Sequence, residues 1–154
     1  MLRPFGTVVA GAALAVLTTA VLSGSSTAAT GPATIPIGAK QTSNVRVELG
    51  RDGTSAGDTQ IIWYELYNRR VRSRPIGHAQ LVCTFTRGAN RECQGTYILP
   101  KGKLAVSGPI RFRELYELAV VGGTGTYDGA RGTLTATRTS RKPWREFLVF
   151  RLAL

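Results

Sequence analysis

The sequence predicts an all-β protein whose antiparallel strands form a barrel or a sandwich, and we favour an eight-stranded antiparallel up-and-down β-barrel. Short runs in which apolar and polar residues alternate recur at regular spacing, and about eight of them can be counted. Glycine, proline, asparagine and aspartate separate these runs as short turns. No segment shows a convincing helical period. Closing such a sheet into a barrel removes the exposed strand edges that would otherwise favour aggregation.

The N-terminal segment has the organisation of a secretory signal peptide. A short positive region at Arg3 precedes the apolar stretch Val8–Leu22, and the small polar segment Ser23–Thr30 contains a plausible cleavage site. The apolar stretch is short for a membrane span, which needs about 20 residues. We therefore expect an exported, extracellular protein whose mature form has no membrane span.

The remaining chain is long enough for one domain with a single core. Its first part contains Pro32, Pro36 and two glycines, which specify no regular element. The predicted domain organisation is a signal peptide at 1–29, a flexible lead-in at 30–43 and a single β-barrel domain at 44–154.

The first two predicted strands differ in the composition of their faces. Asn44–Leu49 alternates apolar and charged residues, as a strand with one buried face does. A turn at Asp52-Gly53 separates it from Gln60–Tyr67, which is β-branched and aromatic on both faces and contains one carboxylate, Glu65.

The next two strands form a hairpin that contains both cysteines of the chain. Cys83 and Cys93 lie symmetrically about Gly88, so an antiparallel turn at 87–90 would place them opposite each other. A disulfide is the default for such a pair in an exported chain. A nucleophilic cysteine is the alternative, and it is disfavoured because each cysteine has an evident partner.

The last four strands complete the count. Lys103–Ser107 ends at the breaker Gly108-Pro109, and Arg111–Val121 follows it. The glutamate and leucine content of Arg111–Val121 favours a helix, but its period of two and its flanking glycine turns favour a strand. Thr133–Thr137 and Glu146–Leu154 are the final predicted strands.

Several classes of function find no support in the sequence. The formal net charge is +11, but the basic residues are scattered and no nucleic-acid-binding motif accompanies them, so no nucleic-acid partner is expected. The single histidine, His78, has no cluster of metal ligands or catalytic serine motif around it. The spacing Gly123-x-Gly125-x-x-x-Gly129 is not a dinucleotide fingerprint. We expect neither a metal nor an organic cofactor.

A small apolar cavity with few polar groups remains as the candidate site. Glu65 is the most suggestive residue, because it lies within an apolar and aromatic strand. An inward Glu65 would be desolvated and able to steer a proton, whereas an outward Glu65 would pair with a neighbouring cation, and both alternatives are open. Tyrosines and one arginine could line the cavity or simply pack: Tyr64, Tyr67, Tyr97, Tyr116, Tyr127 and Arg131.

Two stretches resemble the allene oxide cyclase and dirigent superfamily. The run from Gly95 to Pro109 is similar to a Gly-x-Leu-x-Val-x-Gly-Pro element of the cyclases, and a glycine-rich corner follows at nearly the family's separation. In dirigent proteins this corner is Gly-Gly-Thr-Gly-x-Phe-x-x-Ala-Arg-Gly. The residues that match it, with Tyr in place of Phe, are Gly122, Gly123, Thr124, Gly125, Tyr127, Ala130, Arg131 and Gly132.

The resemblance implies a fold and a class of function. Members have an eight-stranded barrel, closed as in lipocalins, with a hydrophobic cavity and no cofactor in it. They cyclise a reactive fatty-acid epoxide or guide the coupling of phenolic radicals, and many are dimers or trimers. Glu65 matches the cyclases' pocket glutamate, and Pro75 is the counterpart of their cavity proline. Tyr67 stands where the cyclases have an asparagine, a departure that affects their water-holding network.

The sequence therefore predicts an exported barrel that binds an apolar small molecule in its lumen. It would steer a cofactor-free cyclisation, isomerisation or stereoselective coupling, with Glu65 as the catalytic residue. The predicted substrate-binding residues are Tyr64, Tyr67, Pro75, Tyr97, Tyr116, Tyr127 and Arg131. The alternative is a non-catalytic binding or surface-interaction module that uses the basic surface of the same barrel.

Overall fold

A computed structural model of the protein describes residues 33–50, 52–69, 74–111 and 114–153. The predicted signal peptide, 1–29, lies outside the described residues. Within those ranges the chain forms strands and turns without a helix, so the described part offers no helical segment that is long and apolar enough to cross a bilayer.

The strands close into one barrel in which each pairs with its sequence neighbours and the first pairs with the last, all antiparallel. The predicted all-β, eight-stranded up-and-down barrel is confirmed. The strands are β1 Ala33–Val47, β2 Thr59–Asn68, β3 Gly77–Arg87, β4 Asn90–Leu99, β5 Gly102–Arg111, β6 Leu115–Gly125, β7 Arg131–Arg141 and β8 Trp144–Ala153.

The period of two in the sequence becomes an inner and an outer face. In β8 the alternate residues Glu146, Leu148, Phe150 and Leu152 are buried, and their neighbours are more exposed. The middle of the lumen is filled by such side chains. The rings of Tyr97 and Phe150 meet there edge to face, with centroids 5.1 Å apart.

Two strands run farther than the sequence predicts, because in each of them a proline continues the strand where it normally interrupts one. β1 begins at Ala33, so most of the predicted flexible lead-in, 30–43, is strand. Pro36 lies where β1 pairs with β8 alone, since pairing with β2 begins at Ile37. Pro109 continues β5 where that strand pairs with β4 alone. A proline fits such a one-sided segment because its missing N–H can face away from the only ladder.

The hairpin of β3 and β4 agrees with the prediction. Cys83 and Cys93 are directly opposite in the register, and they form a disulfide. Both are fully buried among the core residues, so the cross-link ties two neighbouring strands from inside the barrel. The described residues include no free cysteine.

The glycine-rich corner after β6 closes one end of the barrel. A Cβ added to Gly123 would overlap the backbone carbonyl of Tyr127, so only glycine permits this close approach. Tyr127 and Ala130 are buried in the core cluster there. We call this the glycine end. The opposite end, where β1 leads to β2 and β7 leads to β8, is called the mouth.

Candidate functional site near the barrel mouth

A buried carboxylate occupies the inner face near the mouth. Glu146 is the third residue of β8 and is 3% exposed. Its Oε2 accepts a hydrogen bond of 2.9 Å from the Tyr116 hydroxyl, and its Oε1 accepts one of 2.9 Å from the Trp144 indole N–H. The strand register places it beside Arg138 of β7 and Ala39 of β1. Strand alternation therefore directs it inward with the apolar residues of β8.

Three tyrosines converge on this carboxylate from different strands. Tyr64 of β2, Tyr97 of β4 and Tyr116 of β6 are all at most 7% exposed and belong to the core cluster. The Tyr116 hydroxyl is bound to Glu146. The Tyr97 hydroxyl is buried without a hydrogen-bond partner among the described residues. The Tyr64 hydroxyl is also buried and lies close to Tyr116 and Glu146, but outside good hydrogen-bond geometry with either. Buried hydroxyls normally have partners, so these two hydroxyls are candidate donors to a polar ligand atom.

Burial shifts the proton affinity of every group in this cluster. It raises the pKa of Glu146 above the usual glutamate value. Four neighbours lower that pKa and so limit the rise: Trp144 and Tyr116 by hydrogen bonds, Tyr64 by its nearby hydroxyl and Arg138 by its positive charge. Burial and the nearby Glu146 also raise the pKa of Tyr64 and of Tyr97 well above 10.0. The tyrosines are therefore hydrogen-bond donors at neutral pH, and the raised pKa makes the Glu146 carboxylate a better proton acceptor than an exposed glutamate.

A cavity of about 160 Å³ opens at the mouth directly above this cluster. Trp144 connects the two, because it lines the cavity and also donates to Glu146. The wall combines amide side chains, one apolar residue and one arginine: Gln41, Asn44, Gln60, Ile62, Arg91 and Trp144. The space described within the barrel is thus at the mouth and is partly polar, whereas the middle of the lumen is filled.

Arginines and aromatic rings surround the mouth. The guanidinium groups of Arg46 and Arg91 each lie 4.6 Å from the centroid of the Phe85 ring. The Arg138 guanidinium lies 3.9 Å from the centroid of the Trp144 ring. Such stacking holds a guanidinium in place against the face of the ring.

Glu65, the predicted catalytic residue, lies on the outer face of β2. Tyr64 and Leu66 point inward on either side of it. The Glu65 side chain is 40% exposed and forms an ion pair of 3.7 Å with Lys40, its register partner on β1. Its Oε2 also accepts a hydrogen bond of 2.7 Å from Tyr67. Of the two alternatives left open by the sequence, the structure shows the outward one, and the catalytic role of Glu65 stays an untested prediction.

The other predicted site residues are divided between the two ends of the barrel and its outer face. Tyr64, Tyr97 and Tyr116 meet at Glu146, as described above. Tyr67 lies on the same face of β2 as Glu65 and outside the core cluster, although it is only 6% exposed. Tyr127 packs in the core at the glycine end, and the exposed Arg131 there donates a hydrogen bond of 2.9 Å to the backbone carbonyl of Ala130. Pro75 is exposed on the segment before β3. The structure brings none of these last four into contact with Glu146.

Glu146 itself was not among the predicted site residues, although its strand was predicted. The signal for it is present in the sequence. Glu146 is in phase with Leu148, Phe150 and Leu152, so the period of two already places it on the apolar face. The strand containing Glu65 gives no such signal, because both of its faces are apolar or aromatic.

The described residues contain no group of three or more His, Cys, Asp or Glu side chains that could hold a metal ion. His78 is exposed, and its register partner is Glu65 on the outer face.

The barrel has the allene oxide cyclase and dirigent-like fold, as the sequence motifs predicted. The closed sheet, its strand connectivity and the glycine corner are the features it shares with that fold. Solved structures with this fold include one described as pyocyanin demethylase, with a TM-score of 0.68 and 22% sequence identity over 78% of this chain and 99% of that one. A pterocarpan synthase dirigent protein has a TM-score of 0.65 and 19% identity, over 80% of this chain and 88% of its own.

The Diels-Alderase AbmU from Streptomyces koyangensis is a third similar structure, with a TM-score of 0.63 and 15% identity. The alignment covers 78% of this chain and 63% of AbmU. No protein-family model and no curated protein sequence matches the chain. At these identities the likeness establishes the fold.

Proposed function

We propose that this protein binds a small ring-containing molecule at the barrel mouth and steers a cofactor-free cyclisation or isomerisation by proton transfer at Glu146. The observation that supports it most is the arrangement of the buried Glu146 carboxyl group with the buried hydroxyls of Tyr64 and Tyr97 beneath the mouth cavity. A carboxyl group of raised pKa is suited to general acid–base chemistry, and buried hydroxyl donors can stabilise a developing oxyanion.

The cavity limits the size of the ligand. Its volume is about 160 Å³, and an apolar cavity of about 150 Å³ holds one benzene ring. The rings of Trp144 and the side chain of Ile62 offer apolar surface to such a ring. The bound molecule would be held in one orientation above Glu146, which lowers the entropic part of the barrier.

The neighbouring structures support the class of chemistry. A dirigent protein and a Diels-Alderase, as those structures are described, share this fold, so the barrel is compatible with directing a coupling or a cyclisation. Export is part of the proposal, and the Cys83–Cys93 disulfide is compatible with an oxidising compartment.

Binding can be measured with Trp144 as the reporter. The chain has two tryptophans, and Trp63 lies on the outer face, so Trp63→Phe leaves Trp144 as the only indole. We expect single-ring ketones such as acetophenone to quench its fluorescence saturably. Absence of saturable quenching by any single-ring probe would contradict the proposal.

Proton transfer can be measured on the same probe. We expect the protein to accelerate exchange of the acetophenone methyl protons in D₂O, followed by NMR, and Glu146→Gln to slow it by about 100-fold, as loss of a general base does. Glu65→Gln is the rival variant. If it abolishes exchange while Glu146→Gln does not, the outer-face glutamate is the base. Binding without exchange in the unmodified protein would favour the non-catalytic binding module.

A further inference from the structure

We infer that Gln41 and Asn44 determine the specificity of the mouth cavity, and that the ligand they select is a ring bearing a neutral carboxamide or lactam group. This rests on the proposed function, because it names the substrate class of the same site. Two features of the structure support it. A β-bulge turns both amide side chains toward the cavity, and a chain of hydrogen bonds decides which of their groups a ligand meets.

The strand β1 contains a β-bulge where it passes the cavity. Gln41 pairs with Tyr64 of β2, and the next pair in the register is Ser43 with Trp63. Thr42 is therefore the extra residue, and its hydroxyl donates a hydrogen bond of 3.3 Å to the Trp63 carbonyl. Bulges are common next to active sites, where they change the direction of a side chain.

The bulge brings Gln41 and Asn44 to the same face of β1. In a regular strand, residues three apart point to opposite faces. Here both face the inside, because their register partners on β2, Tyr64 and Ile62, are 2% and 1% exposed. Both amides line the cavity, and Gln41 is placed beside the tyrosine that belongs to the Glu146 cluster.

A chain of hydrogen bonds sets which group Asn44 offers to a ligand. An arginine side chain only donates, so the side-chain oxygen of Gln60 accepts from Arg91 Nη1. The Gln60 amide nitrogen in turn donates to the Asn44 side-chain oxygen, at 2.7 Å. The oxygen of Asn44 is thereby engaged, and its amide N–H groups are the donors that it presents at the cavity wall. The matching ligand group next to Asn44 is an acceptor such as a carbonyl oxygen.

Gln41 supplies the second contact. Its side chain is half-buried, and its amide makes no hydrogen bond to another described residue. A primary amide has an oxygen acceptor and N–H donors in one plane, and the group that satisfies both at once is another amide. A ligand carboxamide or lactam would pair with Gln41 through two hydrogen bonds. Its carbonyl oxygen has a second lone pair for Asn44.

The charges around the cavity favour this neutral group over a carboxylate. The buried Glu146 lies directly below, and Trp144 connects it to the cavity. An anionic ligand would bring a second negative charge toward that carboxylate, and like charges repel strongly where water is excluded. A neutral amide makes the hydrogen bonds of the wall without this repulsion.

Benzamide, acetophenone and benzoate test the specificity, because they have nearly the same shape and carry NH₂, CH₃ or O⁻ beside one carbonyl. With Trp63→Phe protein and Trp144 fluorescence, we expect benzamide to bind about fivefold more tightly than acetophenone, in keeping with one additional hydrogen bond. Benzamide should also bind more tightly than benzoate. If acetophenone or benzoate binds as tightly as benzamide, the inference is overturned and the proposed function stands. If none of the three binds, both are overturned.

Variants assign the effect to the two amides. Gln41→Leu should lower the affinity for benzamide to that for acetophenone. Asn44→Asp keeps an oxygen for Gln60 but removes the donor, so it should weaken both probes about fivefold. Gln94→Leu is the matched control, because Gln94 is exposed on the outer face of β4, and it should leave both affinities unchanged. A folded Gln41→Leu protein that keeps the preference for benzamide would overturn the role of Gln41. The comparison of the three probes decides the inference if that variant does not fold.

Discussion

Tyr116 and Glu146 are hydrogen-bonded at 2.9 Å although their strands, β6 and β8, are not neighbours in the sheet. The intervening strand β7 presents Ala136 in register with Tyr116 and Arg138 in register with Glu146. The small side chain of Ala136 leaves space for the tyrosine ring to cross the inner face. This contact exists only because the sheet is curved into a barrel.

Glu146→Gln should change how stability depends on pH. The folded-state pKa of Glu146 is raised by burial, so its protonated form stabilises the fold at acidic pH, and this contribution is lost as the pH rises through the folded-state pKa. Between the unfolded and folded pKa values the loss is up to about 1.4 kcal/mol per pH unit. Urea unfolding from pH 4 upward should show the variant gaining stability relative to the unmodified protein. A constant difference across pH would contradict the raised pKa.

Tyr97→Phe should separate stability from ligand binding. The Tyr97 hydroxyl is buried without a partner among the described residues, so its removal should leave the free energy of unfolding unchanged or raise it by about 1 kcal/mol. Tyr116→Phe is the matched variant. Its hydroxyl donates to Glu146, and its loss should destabilise the protein by about 1 kcal/mol. Both variants should weaken binding of acetophenone. If Tyr97→Phe is as destabilising as Tyr116→Phe, the hydroxyl of Tyr97 has a partner in solution.

Glu65→Gln should have little effect on folding. The Lys40–Glu65 ion pair joins side chains that are 37% and 40% exposed, and such pairs contribute at most about 1 kcal/mol. Thermal unfolding at low and high salt should show only a small difference from the unmodified protein, and salt should reduce it further. A large, salt-independent destabilisation would mean that the Tyr67–Glu65 hydrogen bond has a structural role of its own.

Gly123→Ala and Gly122→Ala form a matched pair in the glycine corner. A Cβ at Gly123 overlaps the carbonyl of Tyr127, whereas a Cβ at Gly122 has only Arg131 Nη1 near it, at 3.9 Å. We expect Gly123→Ala to destabilise the barrel by about 1–3 kcal/mol, as overpacking does, and Gly122→Ala to be close to neutral. Chemical denaturation measures both. Similar effects of the two substitutions would contradict the close approach at Gly123.

Reduction of the Cys83–Cys93 disulfide should destabilise the fold without abolishing it. The cross-link joins residues ten apart in sequence, and closing so short a loop stabilises a protein by about 2–3 kcal/mol in the chain-entropy model. Urea unfolding with and without a reductant gives the difference directly. No change on complete reduction, verified by thiol titration, would contradict this expectation.

The period of two predicted antiparallel strands in a barrel or a sandwich, because alternation is a local pattern, and the resemblance of the glycine corner to the dirigent corner indicated the barrel. The alternation in β3 and β4 sets the facing of Cys83 and Cys93, and the turn between them fixes the register. The extent of β1 and β5 could not be predicted in this way. Pro36 and Pro109 are tolerated because the strands there have one partner each, and partners are known only once the barrel closes.

The candidate site shows the same division between sequence and tertiary structure. The sequence determined that Glu146 lies on an apolar face and that Tyr64 alternates with Glu65, since side chains of a strand alternate. It did not determine which face of β2 is the lumen, because both faces are apolar enough to be buried. Only closure of the barrel decided that Tyr64 faces Glu146 and that Glu65 faces Lys40. The reason is that the direction in which the sheet curves decides which face of a strand lines the lumen. Side chains that are distant in sequence meet only in that lumen.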